Sequence, residues 1–194
     1  MPFLLSHSFG AASAASLAFS RTVPKRIWWL AALCGAVPDF DYAWNLHSFR
    51  DQSWLAHRGL THTPLFAAVF AAILVWLAFR PADRGTRLRA WIALFLATAS
   101  HGVFDAMSAY GRGIPFFFPL SSTRFHLPWQ PIRAGPHGDG LFSVLLRSIR
   151  TEVLVIWIPG VILLGMTALR RQRFTSNPPS ISGEDRPSPP PQRG

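Results

Sequence analysis

Seven side chains of the kind that bind divalent metals recur along this chain: His7, Asp39, Asp41, His57, His62, His101 and Asp105. His101 and Asp105, in ATASHGVFDAMSAYG, are four apart, so on a helix both project to one side. Asp39 and Asp41, in VPDFDYAW, follow the helix-breaking Pro38, which aims two carboxylates from a turn. His57 and His62, in AHRGLTHTP, are five apart and do not share one face of a regular helix. With Gly59 between them they fit a loop entering a helix, where both rings can turn to one point. Each piece also has an ordinary reading: a His–Asp pair that satisfies itself, interfacial turn chemistry, an interfacial histidine, or a packed His7 among small residues.

Neutral imidazoles and carboxylates without thiolates suit Zn²⁺, Mn²⁺ or Fe better than Cu(I). More than four donors point to two or more ions sharing carboxylates, an arrangement that clamps a phosphoryl or acyl group and lowers the pKa of water. Two further residues are candidates for the chemistry itself. Arg58, beside His57, is placed to hold a substrate oxyanion or to anchor on phospholipid headgroups. Glu152, opening the last apolar stretch, is an eighth potential ligand or a residue favoured at a helix N-terminus by the dipole. Solvation accounts for His47, His126 and His137, although His137 has Asp139 close by. The single cysteine, Cys34, lies in an apolar run and reads as a buried, inert thiol. There is no Gly-rich phosphate loop, GxSxG elbow or HExxH, which argues against a serine hydrolase or a zincin.

The elements that must position these groups are oily. The chain is 49% hydrophobic and 14% charged, against about 25% charged in an average soluble domain. Five apolar stretches stand out, at 3–20, 27–38, 64–79, 90–109 and 153–169. They predict an all-α membrane bundle of about four to five spans, with 27–38 short enough to cross only partway. The first lacks the basic segment of a signal peptide and reads as a retained helix. Thr63 and Pro64 predict a helix start. Residues 110–149, rich in Gly, Pro and aromatics, read as a long irregular loop at the interface. The membrane domain is expected over 1–174, with a disordered Pro/Ser-rich tail over 175–194.

If the stretches alternate across a bilayer, the basic connections at Arg21–Arg26, Arg80–Arg89 and Arg170–Arg173 share one side. The positive-inside rule makes that side, with the C-terminus, cytoplasmic. The net charge of +10 is then topological, and no nucleic-acid partner is needed to explain it. The same threading carries every metal-binding candidate to the other side and to one depth.

PDFD, HRGLTH and HGVFDAMSAYGRGIPFFFP resemble the three signature blocks of a family of bacterial inner-membrane proteins described as membrane-bound, metal-dependent hydrolases, the YdjM-like or domain-of-unknown-function 457 family. The resemblance covers roughly residues 5 to 155. It implies a further likeness to the zinc phospholipase C and single-strand nuclease superfamily, an all-helical fold with a clustered metal site. It implies His7, Asp39, His57, His62, His101 and Asp105 as ligands, with Asp41 and Glu152 beside them. It also favours hydrolysis of a phosphoester on a lipid or lipid-linked substrate at the inner membrane. Two positions depart from the family pattern: Tyr42 stands where a histidine is common, and Ser108 where threonine is usual. The alternative is a non-catalytic membrane protein with one structural metal and a partner on its basic face. A metal-ion transporter is weaker, because the oily interiors of 64–79 and 153–169 offer few polar groups.

Overall fold

Punctuation residues set the helices. The computed structural model describes residues 4–19, 23–42, 54–133 and 141–176. Helix α1 (Leu4–Ala15) ends in the 3₁₀ turn Ser16–Ala18, and α2 (Lys25–Ala36) runs into the 3₁₀ turn Val37–Phe40 at Pro38, which has no N–H to continue the ladder. As the sequence predicts, α3 (Pro64–Ala78) begins with Thr63 Oγ accepting the Phe66 N–H at 3.1 Å and Pro64 in the first helical position. Helix α4 (Arg84–Ala106) is capped by Asp83, which accepts the Thr86 N–H at 3.0 Å. The chain then passes through the irregular segment 107–133, pinned by single bridges between Ser108 and Ile132 and between Ile114 and Phe125. The described part closes with α5 (Leu141–Glu152), a π turn (Val153–Trp157) and α6 (Ile158–Ser176). No strand occurs among the described residues, so the all-α expectation holds.

Two expected boundaries are corrected. The stretch expected at 90–109 is helical from Arg84, and the one expected at 153–169 is part of a helical run from Leu141 to Ser176. The irregular loop expected to reach 149 therefore does not. Residues 141–152, LFSVLLRSIRTE, mix apolar positions with Arg147, Arg150 and small polar residues at helical spacing, so they form an amphipathic helix that a search for apolar stretches passes over. Pro159 would collide with a carbonyl one turn back; the π turn just before it, where Ile158 N–H reaches Val153 O, accommodates the ring. The tail beyond 176, His47, His137 and Asp139 lie outside the described residues.

Helix α4 is the hub, packing against α1, α2 and α3. The core between them is built largely of alanine (Ala11, Ala15, Ala31, Ala71, Ala90, Ala93, Ala97), with Cys34 buried among them as expected. Small residues let helices approach closely, the pattern of packing in lipid. Large apolar side chains point outward instead: Trp29, Val69, Ile73, Trp76 and Leu77, and Val161, Ile162, Met166 and Leu169 on α6. One helical run, Leu145–Arg173, is long and apolar enough to cross a membrane, with mean hydropathy 2.1 and only 22% of its apolar window buried. So little burial sets it apart from the core helix of a soluble protein. The 12 residues of α2 rise about 18 Å, short of the roughly 30 Å hydrocarbon layer.

Among the described residues, the basic connections gather at one end; Arg21 lies outside them. Arg26 donates to the Ala78 carbonyl at 2.7 Å, and Arg171 reaches the carbonyls of Ser16 (2.9 Å) and Phe19 (3.4 Å). His7, Asp39, Thr63 and His101 lie at the other ends of their helices.

Candidate metal centre

The far end of the bundle brings all seven sequence-predicted donors together. His7 comes from α1, Asp39 and Asp41 from the 3₁₀ turn after α2 and its edge, and His57 and His62 from the HRGLTH turn. His101 and Asp105 come from one face of α4. Two close approaches make this possible. A Cβ on Gly35 would sit 2.6 Å from the His7 carbonyl, so glycine lets α2 lie against α1. A Cβ on Gly102 would run into the His62 carbonyl, so glycine lets the HRGLTH turn rest on α4 beside His101 and Asp105.

The nitrogens facing inward are set by what the outer ones do. His101 Nδ1 donates to the Gly35 carbonyl at 2.7 Å, which leaves Nε2 with its lone pair turned to the cluster. Thr61 Oγ donates to Asp41 Oδ2 at 2.6 Å and stands 3.0 Å from His62 Nδ1, so that nitrogen is the donor and His62 Nε2 also faces inward. His57 Nδ1 meets Asp41 Oδ1 at 2.6 Å, directing its Nε2 away from Asp41. Hydrogen bonds to the outer nitrogen of this kind are what orient metal-binding histidines.

Asp39 Oδ1 lies 3.3 Å from His101 Nε2 and 3.7 Å from His62 Nε2; Asp105 Oδ2 lies 3.3 Å from His62 Nε2 and 3.8 Å from His101 Nε2. These four residues form a set whose donor atoms all fall within 4.8 Å of one another. His7 stacks on the His101 ring at 3.8 Å and brings Nε2 to 3.8 Å from Asp105 Oδ1.

The fit to a metal is tested by hydrogen bonding. Among the described residues, the buried side-chain atoms without a hydrogen-bond partner are both nitrogens of His7, Asp39 Oδ1, Asp105 Oδ2 and the Nε2 atoms of His57, His62 and His101. Every one belongs to this cluster. An unsatisfied buried polar atom costs about 1–3 kcal/mol, so a concentration of them calls for a cation that bonds them together. Two imidazoles and two carboxylates are a donor set that suits zinc or manganese.

Asp41, His57 and His62 form a second compact set. The histidine nitrogens nearest Asp41 are already hydrogen-bonded, and both Asp41 oxygens are engaged. Asp41 is therefore placed to orient ligands, whereas the sequence alone puts it among the ligands. Burial works to raise the Asp41 pKa, but hydrogen bonds from His57, His62 and Thr61 prevail and lower it to about 2. Asp39 behaves likewise, burial being overcome by the imidazoles of His101 and His62, and is held below the usual carboxylate range. Burial disfavours a charged His62, yet Asp105, Asp39 and Asp41 together push its pKa up to about 10. A proton on Nε2 and a metal ion would thus compete for one place. If Asp41 is the orienting group, Asp41→Asn weakens metal retention about 10- to 100-fold without abolishing it, as titration against a chelating dye would show.

The two residues expected to be catalytic sit differently. Arg58 is buried; its Nη2 donates to Asp105 Oδ1 at 3.1 Å and its Nη1 to the Tyr110 carbonyl at 2.6 Å. Its φ of 63° turns the backbone so that the side chain dips under Gly111. Arg58 thus anchors Asp105, where the sequence suggests an open oxyanion clamp. Glu152 lies within a continuous helical run and does not open a helix. It stands outside both donor sets and accepts from Ser6 Oγ at 2.5 Å, while Trp157 Nε1 donates to Ser6 Oγ at 2.9 Å. Tyr42 sits 5.6 Å from the His57 ring, and Ser108 is buried beneath the loop. Sequence reasoning misses Thr61, whose only signal is its place between Leu60 and His62.

Fold and site define an all-helical protein with an apolar exterior and a buried cluster of imidazoles and carboxylates able to hold a metal ion. The chain belongs to the YdjM inner membrane protein family, which it matches over residues 1–174. It is 28% identical over 155 residues to the inner membrane protein YbcI of Escherichia coli (strain K12), a match spanning 79% of this chain and 89% of that one. No solved structure matches it.

Proposed function

We propose that this protein is a multi-pass, membrane-bound, metal-dependent hydrolase that acts on a phosphoester of a lipid or lipid-linked substrate. The observation that carries the reading is the confinement of the partnerless buried polar atoms, among the described residues, to one His/Asp cluster. A zinc or manganese ion held by Asp39, His62, His101 and Asp105 would supply Lewis acidity toward a phosphoryl oxygen and would acidify water. The chain's own groups prepare the place. The Gly35 carbonyl, Thr61 and Asp41 fix the imidazoles, and Arg58 steadies Asp105. His7 and His57 Nε2 are the donors left for a second ion. Asp39 and His57, whose side chains are 18% and 15% exposed, form the open edge by which a substrate would enter.

The test is metal content by elemental mass spectrometry on detergent-purified protein, followed by turnover of phosphomonoesters and phosphodiesters. His101→Ala and Asp105→Ala are expected to lose metal and turnover together while still inserting into membranes. Absence of metal from the wild type, even after resupply, would end the enzyme reading.

A second reading, a structural metal in a non-catalytic protein that binds a partner through its basic face, is favoured by the complete burial of the His62, His101 and Asp105 side chains. One tightly held ion without turnover would select it. In either case the basic end is proposed to face the cytoplasm. A reporter fused after Arg173 then reads cytoplasmic, and one within 110–133 does not; the reverse would put the site on the cytoplasmic side.

A further inference from the structure

Arg124 lies in the segment that covers the metal centre, and it is anchored in an unusual way. Its Nη1 donates to the Arg58 carbonyl at 2.8 Å and to the Gly113 carbonyl at 3.3 Å. Arg58 is the residue after His57, and its side chain holds Asp105, so Arg124 is tied to the rim of the cluster. Among the described residues no acidic group pairs with Arg124, and its Nε and Nη2 have no hydrogen-bond partner. One edge of the guanidinium fork is thus fixed by carbonyls and the other is left to donate. Two more arginines, Arg112 and Arg58, are close enough to act on it electrostatically. Burial first, then these two like charges, push the Arg124 pKa below the usual arginine range. Asp105 already offsets the charge of Arg58, whereas Arg124 has no carboxylate partner among the described residues, so its free edge is the one left to take an anion.

The surroundings indicate the kind of anion. Phe117 (60% exposed), Leu120 (93%) and Trp129 (65%) stand out from the same segment, and Trp54 stands beside Phe118. Exposed tryptophans such as Trp54 and Trp129 fit the level of lipid headgroups, where amphipathic rings collect. A fork with one edge free matches the paired oxygens of a phosphate.

We propose that Arg124, assisted by Arg112, forms a phosphate-binding subsite at the mouth of the metal centre, which holds the phosphate group of the substrate while the metal residues act on it. This rests on the hydrolase reading for its purpose, but the binding itself does not depend on turnover. The probes are dioctanoyl phosphatidic acid, inorganic phosphate and, as a phosphate-free control, dioctanoylglycerol. Each is titrated calorimetrically into full-length protein in maltoside detergent, with and without prior chelation.

The expected result is binding of phosphatidic acid but not of dioctanoylglycerol, weakened about tenfold or more by Arg124→Gln, as loss of a charge-assisted hydrogen bond would produce. Because Arg124 also braces the loop, Arg112→Gln, an exposed position, serves as the second variant and weakens binding in the same direction. Competition by inorganic phosphate identifies a site that also takes the free anion; phosphatidic acid binding without that competition identifies one that needs the lipid. Equal affinity in wild type and both variants, or no phosphate binding in the wild type, overturns the subsite. Phosphate binding that depends on Arg124 in a protein without metal or turnover would keep the subsite and sink the hydrolase. Turnover with an unchanged KM in Arg124→Gln would do the reverse.

Discussion

His62→Ala is expected to leave the purified protein without metal, whereas Thr98→Ala, a buried polar change on the same helix bundle, is expected to keep it. His62 is the one residue that belongs to both compact sets of donors. Its Nε2 faces Asp105 Oδ2 at 3.3 Å and Asp39 Oδ1 at 3.7 Å, while its Nδ1 is tied through Thr61 to Asp41. Alanine removes the inner donor, leaves the carboxylates of Asp39 and Asp105 without the imidazole between them, and strips Thr61 of its ring partner. Outer partners of a metal site command about 10- to 100-fold in affinity. A residue that is both a donor and the link to the outer network commands more, so affinity falls by over ~100-fold, roughly 3 kcal/mol. Thr98 Oγ donates to the Leu94 carbonyl in its own helix and also stands beside the Cys34 thiol, neither of which belongs to the cluster, so its loss disturbs no donor. Elemental analysis after exchange against a zinc buffer, with helicity by circular dichroism as the folding check, reads both variants. Full occupancy in His62→Ala would remove the four-residue set from consideration.

How much of this arrangement the sequence discloses depends on the scale of the signal. The gathering of His7, Asp39, His57, His62, His101 and Asp105 is legible because each sits at the same end of its apolar stretch, and alternating helices must then stack those ends. The cap at Thr63 is legible because it needs only neighbours in sequence. Asp41 is not separable from Asp39, since two carboxylates in one turn look alike until Thr61 and His57 are seen to occupy one of them. Arg58 is misleading for a similar reason. A positive-φ residue wrapped by Gly111 turns its guanidinium inward, and nothing local to HRGLTH reveals the segment that wraps it. Glu152 looks like a helix start because hydropathy begins to rise there, whereas backbone hydrogen bonding continues across it from an amphipathic turn.

The sharpest structural prediction concerns a residue with no side chain. In Gly102→Ala, the new methyl group meets the His62 carbonyl, a backbone atom that cannot swing aside like the end of a flexible side chain. Either α4 or the HRGLTH turn must retreat, and overpacking of that kind costs about 1–3 kcal/mol. Retreat also draws His62 Nε2 away from Asp105, which stands on the same helix three residues beyond Gly102. Stability and metal affinity should therefore fall together, through a change that deletes no donor. Gly165→Ala is the control: that position is helical, and an added methyl group there would have nothing within 4 Å, so alanine is neutral or stabilises by up to about 1 kcal/mol. Thermal unfolding in detergent, with metal content measured on the same samples, compares the two. A Gly102→Ala protein that melts and holds metal like the wild type would mean that the turn does not rest on α4, and the geometry joining His62 to His101 and Asp105 would lose its foundation.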